Sequence, residues 1–99
     1  MEIEKSADGG SVTLAVRGRL TAVTAEALSG AVEAALGETQ KLILDFAEME
    51  FLASAGLRVI IAARKKLDAS GGALVLRNVS APVMEVFELV GLDDILTFE

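Results

Sequence analysis

The stretch FLASAGLRVI, residues 51–60, places one serine, Ser54, between two alanines. Its hydroxyl follows the segment AEMEFLA, residues 47–53, which is predicted to be a loop, and precedes a segment typical of a helix. Two roles suit a hydroxyl at this point. As a helix N-cap it would accept a backbone N–H bond and stabilise the helix by about 1 kcal/mol. As a phosphate acceptor it would gain about −1.5 to −2 charges beside helical N–H groups that tolerate them.

A phosphate on Ser54 would affect a bound partner more than the fold. The small residues Ala53, Ala55 and Gly56 would let another protein approach the hydroxyl closely. Desolvating a dianion against an apolar or acidic partner surface would cost on the order of a few kcal/mol. Because about 1.4 kcal/mol corresponds to a tenfold change in affinity, modification could abolish binding without unfolding the chain.

The sequence contains few of the residues that catalysis would need. The chain has no histidine and no cysteine, which removes the commonest general base, the commonest metal ligand and any thiolate. Lys65 and Lys66 lie about three helical turns beyond Ser54, roughly 16 Å along a helix, which is too far to activate its hydroxyl. No glycine-rich phosphate-binding motif is present. We therefore predict a protein that is not an enzyme, with no catalytic residue, metal site or cofactor.

Length and composition predict one soluble domain that covers residues 1–99. Hydrophobic residues make up 53% of the chain, enough for a modest core. The net charge of −6 disfavours binding to nucleic acid and to anionic membranes, and a basic partner surface suits it better. No membrane-spanning segment or signal peptide is apparent in the sequence. We expect a cytoplasmic protein that does not insert into membranes.

The elements that position Ser54 follow from hydrophobic periodicity. Alternation over residues 1–5 and 12–17, around an Asp8–Gly9 turn, predicts an antiparallel hairpin, and Thr21 or Thr24 is the candidate cap of the next helix. The remaining predicted strands lie at 42–44 and 73–76, with an edge strand at 96–99. Three helices are predicted between them: one that buries Leu28, Val32, Ala35 and Leu36, one that buries Leu57, Ile60, Ile61 and Leu67, and one from Ser80 to Gly91 that buries Val83, Val86, Phe87 and Val90. Strands separated by helices indicate a compact α/β domain with a largely parallel sheet.

Three segments of the chain resemble the single-domain STAS proteins that act as anti-sigma factor antagonists, also called anti-anti-sigma factors. They are GRLTAVTAEAL at 18–28, KLILDFAEMEFLASAGLRVIIAARKKL at 41–67, and GGALVLRNVSAPVMEVFELVGLDDILTFE at 71–99. The SAGLR core and its spacing from Asp45 are the most specific part. The resemblance implies an α/β fold with a STAS-like mixed sheet of four to five strands, an N-terminal antiparallel hairpin, and about three helices packed mainly on one side.

The resemblance also implies a function. The dephosphorylated protein would bind an anti-sigma factor, a serine kinase of the GHKL type, and so release a sigma factor. The kinase would phosphorylate Ser54, the position that matches the family's acceptor, and a serine phosphatase would reverse the modification. The free protein would be a monomer. The implied partner-binding residues are Thr21, Phe51, Leu52, Ala53, Ser54, Ala55, Gly56 and Arg58, with Asp45 in a supporting role.

Two departures from the family's pattern keep an alternative open. Many members have Asp or Ser directly before the acceptor, where this chain has Ala53, and an acid is common at the position of Thr21. The second hypothesis is therefore a STAS adaptor subunit of an ABC-type lipid transporter or other multiprotein assembly. In that case the domain would bind its partner constitutively, with Ser54 as a structural helix cap.

Overall fold

The computed structural model describes residues 2–99, and an antiparallel hairpin begins the described chain. Strand β1 (Glu2–Asp8) pairs with β2 (Ser11–Leu20). The turn between them uses Gly9 and Gly10 at φ 55° and 89°, a left-handed conformation that glycine adopts without steric cost. The predicted hairpin is confirmed, except that Met1 lies outside the described residues.

Three helices follow the hydrophobic periodicity: α1 (Ala22–Leu36), α2 (Ser54–Ser70) and α3 (Ala81–Leu89). Their predicted inward positions that are buried in the structure are Leu28, Val32 and Ala35 in α1, Leu57, Ile60 and Leu67 in α2, and Val83 and Phe87 in α3. Val90 was predicted to share the buried face of α3 but is 54% exposed, because the helix ends at Leu89. Each helix begins beside the carboxyl end of a strand, which brings the three N-termini to one edge of the sheet.

The strands form one mixed sheet in the order β1-β2-β3-β5-β6. Strands β3 (Lys41–Asp45), β5 (Ala73–Arg77) and β6 (Thr97–Phe98) run parallel to β2, and only β1 is antiparallel. The crossovers from β2 through β3 and β5 to β6 all move in the same direction across the sheet. Because such crossovers are right-handed, they place the helices on one face. The predicted α/β fold with its N-terminal hairpin is confirmed.

One strand was missing from the prediction. The segment 47–53 was expected to be a loop, but Met49–Leu52 forms β4, which pairs in parallel with β2 beyond the end of β3. The outer two residues of β4 are buried and the inner two are exposed, so its sequence shows neither strict alternation nor a continuous apolar run. With β4 the structure has six strands, one more than the expected maximum of five.

A single hydrophobic core lies between the sheet and the three helices. Its largest fully buried side chains are Phe46 and Phe87, and Phe87 packs edge-on against Phe98 with ring centroids 5.4 Å apart. Residues from β2, β3 and β5 contribute to the same cluster as residues from each helix. None of the helices in residues 2–99 has the length and apolarity needed to cross a membrane.

Candidate functional site

The predicted site residues meet at the edge of the sheet where the parallel strands end. Thr21 follows β2, Asp45 ends β3, and Ser54 begins α2 two residues after β4. Backbone hydrogen bonds tie these ends together: the N–H of Ala53 donates to the carbonyl of Leu20 at 2.9 Å, and the N–H of Phe46 donates to that of Arg77 at 2.9 Å. The carboxyl edge of an open α/β sheet is where such folds place their binding groups. We name Thr21, Phe51, Ala53, Ser54 and Arg58 the edge surface.

Ser54 is the first residue of α2, and its side chain is exposed. The N-cap position belongs to Ala53, whose backbone is extended at φ −96° and ψ 167°, and no side chain caps this helix. The interpretation of Ser54 as a structural helix cap is therefore wrong. Its hydroxyl lies at the positive end of the helix, next to backbone N–H groups of the first turn that have no helical acceptor.

The two small residues beside Ser54 differ from Gly56 in their surroundings. Ala53 and Ala55 are half-buried, so both contribute to the surface around the hydroxyl. Gly56 is buried, and a Cβ added there would lie 2.5 Å from Cδ2 of Leu20 and 2.8 Å from Cδ1 of Leu52. The missing side chain thus lets the start of α2 pack directly on the ends of β2 and β4.

Leu52 and Gly56 require a correction. Both were expected to contact a partner directly, yet Leu52 is only 5% exposed and belongs to the core, and Gly56 is buried. Their packing beneath the surface positions the start of α2 and hence Ser54. The reason is the register of β4, which turns the side chain of Leu52 toward the helices and that of Phe51 away from them.

Phe51 is 41% exposed and has a neighbour that sequence reasoning missed. The guanidinium carbon of Arg19 lies 4.5 Å from the centroid of the Phe51 ring, a cation–π geometry worth about 0.5–1 kcal/mol at an exposed site. Arg19 and Phe51 are directly paired between β2 and β4. The arginine could have been found from the sequence only if β4 had been recognised as a strand.

Arg17 holds the start of β4 in place. Its Nε donates to Oε2 of Glu48 at 2.6 Å, and the backbone N–H of Gly18 donates to the carbonyl of Glu48 at 2.9 Å. The hydrogen bond with Glu48 is the main reason why the pKa of the Arg17 guanidinium lies above its ordinary value. Both bonds join the loop before β4 to β2, which supports the strand that carries Phe51 and leads to Ser54.

Thr21 is the N-cap of α1, as one of the two sequence alternatives predicted. It forms a capping box with Thr24: the backbone N–H of Thr21 donates to Oγ1 of Thr24 at 2.8 Å, and the N–H of Thr24 donates to Oγ1 of Thr21 at 3.5 Å. Oγ1 of Thr24 also donates to the carbonyl of Arg19 at 2.9 Å. Thr21 is half-buried, so part of its side chain contributes to the edge surface while its hydroxyl caps α1.

We expect Thr21→Ala to lower the free energy of unfolding by about 1 kcal/mol, because the first turn of α1 loses its side-chain acceptor. The measurement is urea denaturation followed by circular dichroism. Thr21→Ser, which keeps the hydroxyl, is the matched control and should stay close to the parent. Equal stability of the alanine variant and the parent would contradict the role of the capping box.

Asp45 has a structural role. Its Oδ1 accepts hydrogen bonds from the backbone N–H of Ala47 at 3.0 Å and from Nδ2 of Asn78 at 3.1 Å. Asn78 itself has a left-handed backbone with φ 57°, a conformation that asparagine adopts more readily than most residues. The carboxylate thus holds together the two loops that follow β3 and β5.

The charges at the start of α2 favour an added anion. The first turn of the helix contains no acidic residue, so a phosphate on Ser54 would meet no like charge from the helix itself. Arg58 is exposed and lies four residues later, one turn along the same face. Further along α2, Arg64 approaches Asp68 and Lys66 pairs with Glu33, so these cations have partners within the domain.

The side chains at this edge include an exposed hydroxyl, that of Ser54, and an exposed aromatic ring, that of Phe51. Within residues 2–99 no group of three or more Asp or Glu side chains is arranged to hold a metal ion, and the chain has no histidine or cysteine.

Comparison with known proteins links this geometry to a family. A protein-family profile described as "Mlab, STAS domain" matches residues 3–97. BtrV of Bordetella bronchiseptica, a proposed anti-sigma factor antagonist, is 31% identical over 83 residues, which are 83% of this chain and 72% of BtrV. The anti-sigma-B factor antagonist of Listeria monocytogenes is 32% identical over 93 residues, which are 93% of this chain and 82% of that protein.

Solved structures share the fold. The anti-sigma factor antagonist SpoIIAA in its unphosphorylated form has a TM-score of 0.85 and 21% identity, over 99% of this chain and 88% of SpoIIAA. The phosphorylated form of the Bacillus cell fate determinant SpoIIAA has a TM-score of 0.79 at 21% identity, over 99% of this chain and 91% of that one. At 21% identity, this likeness shows that the two proteins share a fold.

Proposed function

This chain belongs to the STAS domain family, and on that premise we propose that it is an anti-sigma factor antagonist controlled by phosphorylation of Ser54. In its dephosphorylated form it binds an anti-sigma factor, a serine kinase of the GHKL type, and thereby frees a sigma factor. The curated relatives named above support this class of function. The protein acts as a cytoplasmic binding module and has no catalytic activity of its own.

The observation that carries the proposal is the exposed hydroxyl of Ser54 at the first position of α2, where it serves no capping role. A structural serine at a helix start would accept a backbone N–H bond. Instead the capping position belongs to Ala53, which leaves the serine hydroxyl available to a kinase. Half-buried Ala53 and Ala55 flank it with little bulk, so a kinase active site can reach the oxygen.

Phosphoryl transfer follows from this placement. Oγ of Ser54 attacks the γ-phosphorus of ATP bound by the partner kinase, the bond from that phosphorus to the bridging oxygen of ADP breaks, and a base of the kinase takes the hydroxyl proton. The products are phosphoserine and ADP. A serine phosphatase restores the hydroxyl when water attacks the phosphorus and inorganic phosphate departs. This chain supplies only the nucleophilic oxygen and its position.

The modification acts on binding because the partner must cover the edge surface. The helix terminus accommodates the phosphate in the free protein, since helical N–H groups and Arg58 favour negative charge there. A docked partner would have to desolvate that dianion, at a cost on the order of a few kcal/mol. Phosphorylation is therefore expected to release the partner while the fold stays intact.

A second candidate function is a constitutive adaptor subunit of an ABC-type lipid transporter or another multiprotein assembly. The observation that favours it is the scarcity of free polar groups around Ser54. Ala53 precedes the serine, and the hydroxyl of Thr21 is engaged in the capping box of α1. In this case the edge surface would bind an ATPase subunit without modification of the serine.

Affinity purification from native cells, followed by mass spectrometry, distinguishes the two candidates. We expect a GHKL-type serine kinase to co-purify, with a phosphoryl group on the Ser54 peptide. Ser80 is the internal control, because it is also an exposed serine at the start of a helix and should remain unmodified. A transporter ATPase together with unmodified Ser54 would support the adaptor instead.

We expect Phe51→Ala to weaken binding of the co-purified partner by roughly tenfold to a hundredfold, since aromatic residues and arginine are enriched at protein–protein interfaces. The measurement is isothermal titration calorimetry, with the free energy of unfolding as a check on folding. Phe51→Tyr keeps the ring above which Arg19 lies and should retain affinity. Unchanged affinity of the alanine variant would remove Phe51 from the docking surface.

A further inference from the structure

The carboxyl-terminal end of α3 presents large aliphatic side chains to solvent. Leu89 is 85% exposed, Val90 is 54% exposed and Ile95 is 48% exposed. They lie close in the chain, and the segment between them is ordered by backbone bonds: the N–H of Leu92 donates to the carbonyl of Phe87 at 2.9 Å, and the N–H of Ile95 donates to that of Leu92 at 3.1 Å. We name Leu89, Val90 and Ile95 the distal patch. Three exposed large aliphatic residues within one short, ordered segment suit a surface that binds another protein.

Four acidic residues lie in the same segment of the chain as the distal patch. Glu85 and Glu88 line a shallow depression together with Leu89, and Asp93 and Asp94 lie in the turn between Val90 and Ile95. Residues 81–99 contain no lysine or arginine. Within residues 2–99, none of these four acids forms an ion pair, in contrast to Glu99, which pairs with Arg77.

We propose that the distal patch is a second docking surface, and that it binds a basic amphipathic segment of a partner protein. The aliphatic residues would contact the apolar face of that segment, and the four carboxylates would pair with its lysines or arginines. A second copy of this chain is a poor partner, because a symmetric dimer contact would place the acidic residues of one copy against the same acidic residues of the other. An anionic membrane is disfavoured by the same charges.

The distal patch is separate from the edge surface. Helix α3 begins at that edge with Ser80 as its N-cap, and Leu89 lies eight residues beyond Ala81, about 12 Å along the helix axis. The distal patch therefore lies at the other end of α3 from the edge that carries Ser54. The proposal does not depend on Ser54 or its modification, so it can fail while the proposed function stands.

The test is an NMR titration of the full chain with a synthetic peptide of lysine and leucine, in which the leucines recur at helical spacing. Perturbed amide signals are expected in residues 85–95. Leu89→Gln should weaken peptide binding by about tenfold, and the fold should survive because the side chain is largely in solvent. Val23→Gln is the matched control, since Val23 is equally exposed at 85% on α1, and it should bind the peptide like the parent.

A second peptide with the same lysines but glutamine in place of leucine tests whether charge alone suffices. It should bind markedly more weakly, and Glu88→Lys should weaken binding of the leucine peptide. Perturbations centred on residues 51–58, or equal binding of the two peptides, would overturn the proposal. So would concentration-dependent shifts of residues 85–95 without peptide, which would identify the occupant as a second copy of the chain.

Discussion

Ser54→Asp is expected to lower the affinity for the anti-sigma partner on the order of a hundredfold, about 3 kcal/mol, while the fold is kept. The carboxylate places a charge where the partner must desolvate the surface between Ala53 and Ala55. The free energy of unfolding should change by no more than about 1 kcal/mol, because a negative charge is favoured at a helix N-terminus and the first turn of α2 holds no other acid. Isothermal titration calorimetry and urea denaturation measure the two quantities.

Two matched variants show whether the loss of partner affinity is specific to position 54. Ser54→Ala should bind the partner with affinity close to that of the parent, because it keeps the surface uncharged and small. Ser70→Asp makes the same charge change at the opposite end of α2 and should also retain affinity. If Ser54→Asp bound as tightly as the parent, or if Ser70→Asp lost affinity equally, a charge-sensitive contact at Ser54 would be ruled out.

Gly56→Ala is expected to lower the free energy of unfolding by about 1–3 kcal/mol, although alanine is the better helix former. The added Cβ would lie 2.5 Å from Cδ2 and 2.7 Å from Cγ of Leu20, and 2.8 Å from Cδ1 of Leu52. Both leucines are buried, so neither can move into solvent to make room. The start of α2 must shift outward, and we expect partner binding to weaken as well because Ser54 moves with it.

Gly30→Ala is the control for this prediction. Gly30 lies within α1, and a Cβ there would meet nothing within 4 Å. The substitution should raise the free energy of unfolding by about 0.5–1 kcal/mol, the ordinary gain for alanine over glycine in a helix. Urea denaturation of the two variants should therefore give changes of opposite sign. A stabilised Gly56→Ala variant would contradict the close packing of α2 on Leu20 and Leu52.

Much of the fold could be predicted because local signals and tertiary structure agree. The Asp8–Gly9 turn lies between two alternating segments, and the buried faces of α1 and α2 match their hydrophobic periodicity except at Ile61, which is only half-buried and lies outside the core cluster. Strand β4 escaped prediction because four residues with a buried–exposed–exposed–buried pattern carry no strand periodicity. Its existence depends on pairing with β2, a long-range contact that no local pattern reports.

The position of the site in the fold could be predicted from the sequence, but the exact cap residue and the burial of individual side chains could not. Periodicity located Ser54 at the start of α2, but it could not separate the N-cap from the first helical residue, which differ by a single position in the chain. The structure assigns the cap to Ala53 and exposes the serine. Leu52 and Phe51 are neighbours of equal hydrophobicity in the sequence, and only the register of β4 determines that one is buried and the other exposed.

The proposed binding residues and the residues that support them lie at the same edge of the sheet but are different residues. Gly56 and Leu52 support the start of α2 from within the core, and Asp45 joins the loops after β3 and β5. Ser54, Phe51 and Arg58 extend outward from this support. Changes to the exposed group should therefore alter partner binding with little effect on the free energy of unfolding, whereas changes to the supporting residues should alter both.

The most direct test of phosphorylation control is to incubate the chain with its purified kinase partner and ATP, then follow the mass of the chain and the amount of complex together. We predict the addition of one phosphoryl group, mapped to Ser54, with dissociation of the complex in step with it. The Ser54→Ala variant should gain no phosphate and stay bound. Persistence of the complex after full phosphorylation of Ser54, or dissociation of the Ser54→Ala complex under the same conditions, would contradict the account.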